Sequence, residues 1–417
     1  MISIDEARRY VFSLLRDPEA ETTPLDRALG CVAAAPIIAT EPVPGFANSS
    51  MDGYALRASD TSSGTVQLRI VDSILAGRAT TSPLGAGEAV RIMTGAPLPP
   101  GADSVEMLEE VLVDASSTLL SIHRRINEGN FVRRRGEDIG VGDELLRTGT
   151  QLHATRIGVL ASQGIMEVLA YRRPRVGVVS TGNEVSDRAG PLESGSIRDV
   201  NRPLLLALVS ECGAVPIDLG LVSDDLDETR RALASAAQTC DVVISSGGVS
   251  VGDVDFIKIV IGELGGANAR SMQVAVRPGK PFAFGVVGPR RVPIFGLPGN
   301  PVSARVSFEL FVRPSIRKLA GHSVFDRLTV PATLDCELPR IADGKIHMVH
   351  VTVALGVDGR VHVLRATREG SHLLHAIANA NAIAAVPDGA GLNIGDTVRV
   401  IILHADDVLS ASANSDI

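Results

Sequence analysis

The period of hydrophobic and polar positions changes several times along the chain. Ile4, Ala7, Val11 and Leu14 recur at helical spacing behind Ser3 and Glu6, which are placed as a capping box, so a helix is expected to open the chain. From Phe46 to Glu137, short alternating runs such as Val66 to Ile70 and Val90 to Met93 are separated by Gly, Pro and Ser, the pattern of a small β-rich domain. Leu145 to Ala170 reads as helical and, with the N-terminal segment, predicts one discontinuous unit flanking that insert. Between Arg175 and Gly321, apolar runs at Val176 to Val179, Val215 to Leu219, Val242 to Ile244 and Pro293 to Phe295 alternate with helical segments starting near Asn201, Asp227, Val254 and Pro301. Such alternation predicts βα units around a doubly wound parallel sheet. Beyond Asp326, alternation returns in His347 to Ala354, Val361 to Leu364 and Thr397 to Leu403, predicting a terminal β-barrel; Leu409 to Ile417 reads as a disordered tail.

The expected fold is therefore α/β multidomain. It comprises a discontinuous helical linker domain (1–45 and 138–173), a β-rich insert (46–137), a central doubly wound parallel-sheet domain (174–322) and a C-terminal β-barrel (323–407). A chain of 417 residues is long enough for these separate cores.

Composition narrows the function. Forty Lys and Arg against 48 Asp and Glu give a net charge of −8, which argues against a sequence-independent nucleic-acid binder and requires any anionic ligand to be held by a local basic patch. Ten Phe, three Tyr and no Trp offer few platforms for stacking bases. The four cysteines, Cys31, Cys212, Cys240 and Cys336, form no CxxC, so neither a zinc ribbon nor a disulfide framework is indicated and a cytoplasmic setting is expected. The N-terminus lacks the pattern of a signal peptide, and the uncharged stretch from Gly370 to Pro387 carries His372 and His375, so no membrane span is expected.

In an open α/β sheet, ligands bind beyond the C-terminal ends of the strands. Three loops are placed there: Ser180 to Glu184, Ser245 to Asp253 and Gly296 to Ser303. The second combines glycines, hydroxyls and the carboxylates Asp253 and Asp255 at a helix start, a set suited to a phosphate and a divalent cation; a plain Gly-rich turn with helix-capping aspartates is the alternative. Arg277 and Lys280 flank a stiff Pro-Gly turn that would hold two cations for an oxyanion or, alternatively, in solvent. No histidine lies between Ala154 and Gly321, which excludes a His-based triad built within that segment. His347 and His350 fall on opposite faces of a strand, and His372 and His375 lack a carboxylate or cysteine cluster, so neither pair is expected to bind metal. Pro44 to Leu56 and Met93 to Asp103 are too rich in turn formers to be plain strands.

Seven strings in order, NSSMDGYAL from Asn48, MTGAPLPPGAD from Met93, RRRGEDI from Arg133, STGNEV from Ser180, SGGVSVGDVDF from Ser246, RPGKPFAFG from Arg277 and GLPGNPVS from Gly296, resemble the molybdopterin molybdenumtransferase family, which includes the E domain of gephyrin. The resemblance implies the last step of molybdenum cofactor synthesis: adenylylated molybdopterin and molybdate bind, molybdenum is inserted at the dithiolene, and AMP leaves. It implies pyrophosphate and substrate contacts at Ser246, Gly247, Gly248, Ser250, Gly252, Pro298 and Asn300, and molybdate contacts at Arg277, Lys280, Ser303 and Ser371. It also implies Mg²⁺ on Glu184, Asp253 and Asp255, and a homodimer that brings Asp52, Thr94 and Asp138 to the same cleft. Other proteins of molybdenum cofactor synthesis are implied as further partners. Two positions depart from the family pattern: Asn183 stands where an acid is common, and His350 stands where an Arg is common. A molybdopterin adenylyltransferase and a non-catalytic scaffold are the competing readings, and the motifs around Asp52 and Thr94 favour molybdenum insertion over the first.

Overall fold

The computed structural model describes residues 1–78, 80–248, 255–366 and 374–408. The tail from Leu409 lies outside the described residues. The central domain carries six strands, β1 (Arg175–Thr181), β2 (Val215–Val222), β3 (Val242–Ser246), β4 (Ala269–Gln273), β5 (Pro281–Val287) and β6 (Val292–Leu297), in the spatial order β2-β1-β3-β6-β5-β4. The first four in that order are parallel, whereas β5 runs antiparallel to β6 and β4 antiparallel to β5, so β5 alone is reversed. The sheet is therefore mixed where a parallel one is expected. The reason is local: only Gly288 to Arg291 separate β5 from β6, and a parallel connection needs a crossover of a dozen residues or more.

Helices cover both faces. Alternate residues of each strand feed different cores, as in β3, where Val242 and Ile244 join one cluster and Val243 the other. One face is packed by α1 (Ile4–Leu14), α3 (Asn201–Glu211), α6 (Pro301–Ser307) and α7 (Arg313–Leu319). The other is packed by α4 (Leu226–Thr239) and α5 (Phe256–Gly265). Phe282, Phe284, Phe295, Phe308 and Phe311 are fully buried in the first core, each burial contributing roughly 1.5–3 kcal/mol. The opening helix forms as its pattern predicts, with Ser3 Oγ accepting from the Glu6 amide at 3.0 Å. Its apolar face, Ala7 and Val11, docks on the central domain.

The discontinuous unit is joined by strands as much as by helix. Residues Ala20–Pro24 and Val32–Ala33 pair with Glu167–Tyr171, and Ile37–Ile38 pair with Glu144–Leu146. Only α2 (Ala154–Ser162) is helical between Leu145 and Ala170; Val168 and Ala170 are buried and Leu169 exposed, a two-residue period hidden in a helical-looking run. Asp241, 1% exposed, ties the parts together by accepting from Arg16, Arg172, Arg290 and the Arg175 amide. Within the insert, Gly53–Leu56 lies inside a six-stranded sheet. The C-terminal barrel closes with five strands, because Ile346–Leu355 pairs with both Val361–Ala366 and Ala382–Val386 while Thr329–Leu334 and Thr397–Ile402 complete the ring. The short strand Val276–Arg277 adds to this barrel, setting Arg277 opposite His347. Among the described residues, no helix is long and apolar enough to cross a membrane.

Candidate functional site

Strands β1 and β3 are neighbours whose connections leave in opposite directions, which makes their C-terminal ends a topological switch point. A cleft of about 700 Å³ opens there, lined by all three loops expected on that edge: Thr181 and Glu184, Ser246 to Gly248, and Gly299 to Pro301. Gly247 and Gly248 adopt positive φ (+99° and +65°), and a Cβ on Gly247 would lie 2.7 Å from the Thr181 carbonyl oxygen, so only glycine lets these two loops approach. Asn300 caps α6, its Oδ1 accepting from the amides of Val302 and Ser303 at 3.1 and 3.3 Å, with Pro301 at the first helical position.

The loops are held together by residues that no motif marks. Asn201, buried at the start of α3, donates from Nδ2 to Ser246 Oγ at 2.6 Å and to the Gly299 carbonyl at 2.7 Å, locking the second loop to the third. Asp199 accepts from Ser180 at 3.0 Å and pairs with Arg202 at 2.8 Å. Asn183 exchanges two hydrogen bonds with Asp224, each 3.1 Å. The hydroxyl of Thr181 and the side-chain oxygen of Asn201, both on cleft-lining residues, are buried without hydrogen-bond partners among the described residues, and that of Ser245 is likewise buried in the strand beneath. The cleft thus presents glycine-exposed backbone and unsatisfied polar groups, the chemistry that receives a phosphate or a heterocycle.

Carboxylates rim the cleft. Glu184 lines it and its side chain makes no hydrogen bond or ion pair among the described residues. Asp199 and Asp224 line it as well, whereas Asp255, just before α5, is not among the lining residues; burial raises its pKa, and Lys258 at 2.6 Å opposes that rise. Among the described residues, no group of three His, Cys, Asp or Glu is placed to hold a metal. Ser250, Gly252, Asp253 and Ser371 lie outside the described residues.

Two further clusters form. The Arg277 to Lys280 turn packs on α6: a Cβ on Gly279 would lie 3.0 Å from Ser307 Oγ and 3.6 Å from the Ser303 carbonyl oxygen. Arg277, 61% exposed, sits 3.9 Å from Asp343. Arg277, Lys280, Ser303 and Pro298 are not among the residues lining the 700 Å³ cleft. In the insert, Asp52 Oδ1 accepts from the Thr94 amide and hydroxyl, each at 2.7 Å, which lowers the Asp52 pKa. The three insert motifs converge: Ser49 pairs with Val132, Gly95 donates to the Ser49 carbonyl, and Asp138 joins through Val43. None of the residues lining the cleft comes from this insert.

Residues 2–164 match the MoeA N-terminal region (domain I and II), 177–318 a probable molybdopterin binding domain, and 341–403 the MoeA C-terminal region (domain IV). The molybdopterin molybdenumtransferase of Haemophilus influenzae is 36% identical over 405 residues, covering 96% of this chain and 98% of its own. The chain belongs to the molybdopterin molybdenumtransferase family. The Bacillus subtilis molybdopterin molybdenumtransferase is 34% identical, covering 97% of this chain and 95% of its own. The molybdopterin biosynthesis MoeA protein from Pyrococcus horikosii superposes with a TM-score of 0.81 at 30% identity, over 97% of this chain and all of that one. In this chain, His350 is 3% exposed on its barrel strand, and burial together with the Arg305 charge lowers its pKa to about 4. It is neutral at pH 7 and does not supply the charge that an Arg would there.

Proposed function

We propose that this protein inserts molybdate into adenylylated molybdopterin and releases AMP. The observation that carries the reading is the cleft at the β1/β3 switch point, sized and lined for a nucleotide-linked pterin within a chain of this family. The glycine-exposed amides and the Ser246 and Thr181 hydroxyls would hold the pyrophosphate, and Asn201 fixes their spacing. Mg²⁺ ordinarily takes one or two carboxylates and completes its shell with phosphate oxygens and water. Glu184, unpaired among the described residues and beside the phosphate loops, fits that demand; Asp253 and Asp255 are its proposed companions, the latter on exchanging Lys258 for the ion. When bound, the ion would neutralise charge on the phosphoanhydride being broken. Lys280, Arg277 and Ser303 would meet molybdate at the turn on α6, with Ser371 as a further contact.

The Asp52–Thr94 cluster has no place at the cleft of its own chain, and we read it as completing the cleft of a second copy in a homodimer. The cytoplasm is the proposed compartment, a reading supported by the four cysteines being free thiols. Incubation with adenylylated molybdopterin, molybdate and Mg²⁺ is expected to release AMP; a requirement for ATP and free molybdopterin would instead identify an adenylyltransferase.

A further inference from the structure

The backbone of the Arg277 to Lys280 turn is tied down at both ends. The Ala275 carbonyl accepts from the Ile346 amide at 3.0 Å, Val276–Arg277 runs parallel to Ile346–His347 of the barrel, and the Lys280 carbonyl accepts from the Val274 amide at 2.8 Å. Any adjustment of Arg277 to a ligand therefore falls to its side chain. That side chain is 61% exposed, and its one ion-pair partner among the described residues is Asp343, just before the barrel strand Ile346–Leu355, with Nη1 3.9 Å from Oδ2. The pair is long because the carboxylate is crowded. Lys345 Nζ lies 2.6 Å from the same oxygen, while Oδ1 accepts from Arg340 Nη2 at 3.1 Å and lies 3.2 Å from His347 Nε2. Lys345, and after it His347, bring the Asp343 pKa down to about 2, so the group is ionised at neutral pH. Arg340 also binds Asp388 at 2.6 Å. Two carboxylates thus meet the cations Arg277, Arg340 and Lys345, and Arg277 is the most loosely held of the three.

We propose that Asp343 is a positioning residue that competes with molybdate for Arg277: it holds the guanidinium in the unliganded protein and yields it to the oxyanion. The inference rests on the reading of Arg277 as a molybdate contact. Release is easy, since a long, exposed ion pair is weak and a forked guanidinium–oxyanion contact is strong. Lys345 sets the balance. It occupies the oxygen that Arg277 approaches, so it loosens the hold of Asp343 on the guanidinium. Removing the Asp343 charge both frees Arg277 and lessens repulsion of a dianion, two effects of one sign. Removing Lys345 reverses both, because the guanidinium can close on the vacated oxygen and a nearby positive charge is lost.

Equilibrium dialysis of the full-length protein against molybdate, at constant ionic strength, tests the proposal. Asp343→Asn is expected to tighten molybdate binding about three- to fivefold, and Lys345→Met to weaken it by a similar factor. Arg277→Ala should weaken it about tenfold or more. In the Arg277→Ala background both other changes should shrink to less than about twofold, because they act through the missing guanidinium. In the AMP-release assay they should fall on the molybdate KM rather than on kcat. Opposite signs that vanish without Arg277 support the inference. Effects of equal size with and without Arg277 would reveal a general field of the cleft and overturn it, as would an Asp343→Asn protein that binds no tighter than wild type. Should Asp343→Asn fail to fold, Lys345→Met in the two backgrounds decides alone. Wild-type affinity in Arg277→Ala would refute the reading of Arg277 itself; weakened binding there, beside unchanged binding in Asp343→Asn, refutes only the competition.

Discussion

Replacing Asn201 by Asp tests the joint between the phosphate loops with almost no change of shape. The amide nitrogen donates at 2.6 Å to Ser246 Oγ and at 2.7 Å to the Gly299 carbonyl. An aspartate has only acceptors. The Ser246 hydroxyl can rotate to donate to the new carboxylate, so that contact survives. The Gly299 carbonyl cannot, and would face another oxygen at hydrogen-bond range. Leaving one buried acceptor unpaired costs about 1–3 kcal/mol. The new negative charge also stands where a phosphate would enter, so affinity should suffer more than stability. We expect Asn201→Asp to lower the unfolding temperature by a few degrees and to weaken binding of AMP or adenylylated molybdopterin by at least about tenfold. Asn201→Ala should lose comparable stability and less affinity, since it adds no charge. Thermal unfolding and equilibrium binding on the same preparations separate the two effects. Wild-type melting and affinity in Asn201→Asp would refute the claim that this residue joins the loops.

At Asp241, burial opposes ionisation, but the bonds from Arg172 and the Arg175 amide outweigh it and hold the pKa below its usual value. Asp241→Ala should cost about 3 kcal/mol, the low end for a broken buried pair because Arg290 is 41% exposed, as read by urea unfolding. This contribution is full at neutral pH and lost as pH falls below about 4, since the depressed group must then be protonated. His322 behaves differently: burial, then Arg317 and Arg313, lower its pKa to about 4, so the unfolded chain takes up a proton first and stability falls as pH drops from about 6.5. His322→Gln should flatten that part of the stability profile measured by thermal unfolding. Mixing an inactive Asp52→Ala subunit with an inactive Glu184→Ala subunit should restore one complete site, measured as AMP release; a mixture as inactive as its parents would argue against a site shared between copies.

Local chemistry made much of this molecule legible. Ser3 and the Asn300–Pro301 pair announce their helices because capping depends on neighbours in sequence, and the three loops could be placed on one sheet edge because strand ends in such a fold share a side. The pairing of Asp52 with Thr94 follows from two turn-rich strings that sequence marks but cannot join. Other features depend on tertiary structure. Glu167–Tyr171 looks helical until its partner strands, over a hundred residues earlier, impose a two-residue period. β4 and β5 carry weak strand signals, because one is partly polar and the other begins in a Pro-Gly-Lys-Pro turn. Asn201, Asp199 and Asp224 carry no signal of their own type, since each acquires its role from a loop that folding brings to it.

The most direct test of molybdenum insertion is its stoichiometry. Purified protein supplied with adenylylated molybdopterin, Mg²⁺ and molybdate should release one AMP for each molybdenum atom recovered with the pterin, and little AMP when molybdate is omitted. AMP release at the same rate without molybdate, with no molybdenum in the pterin product, would contradict the account.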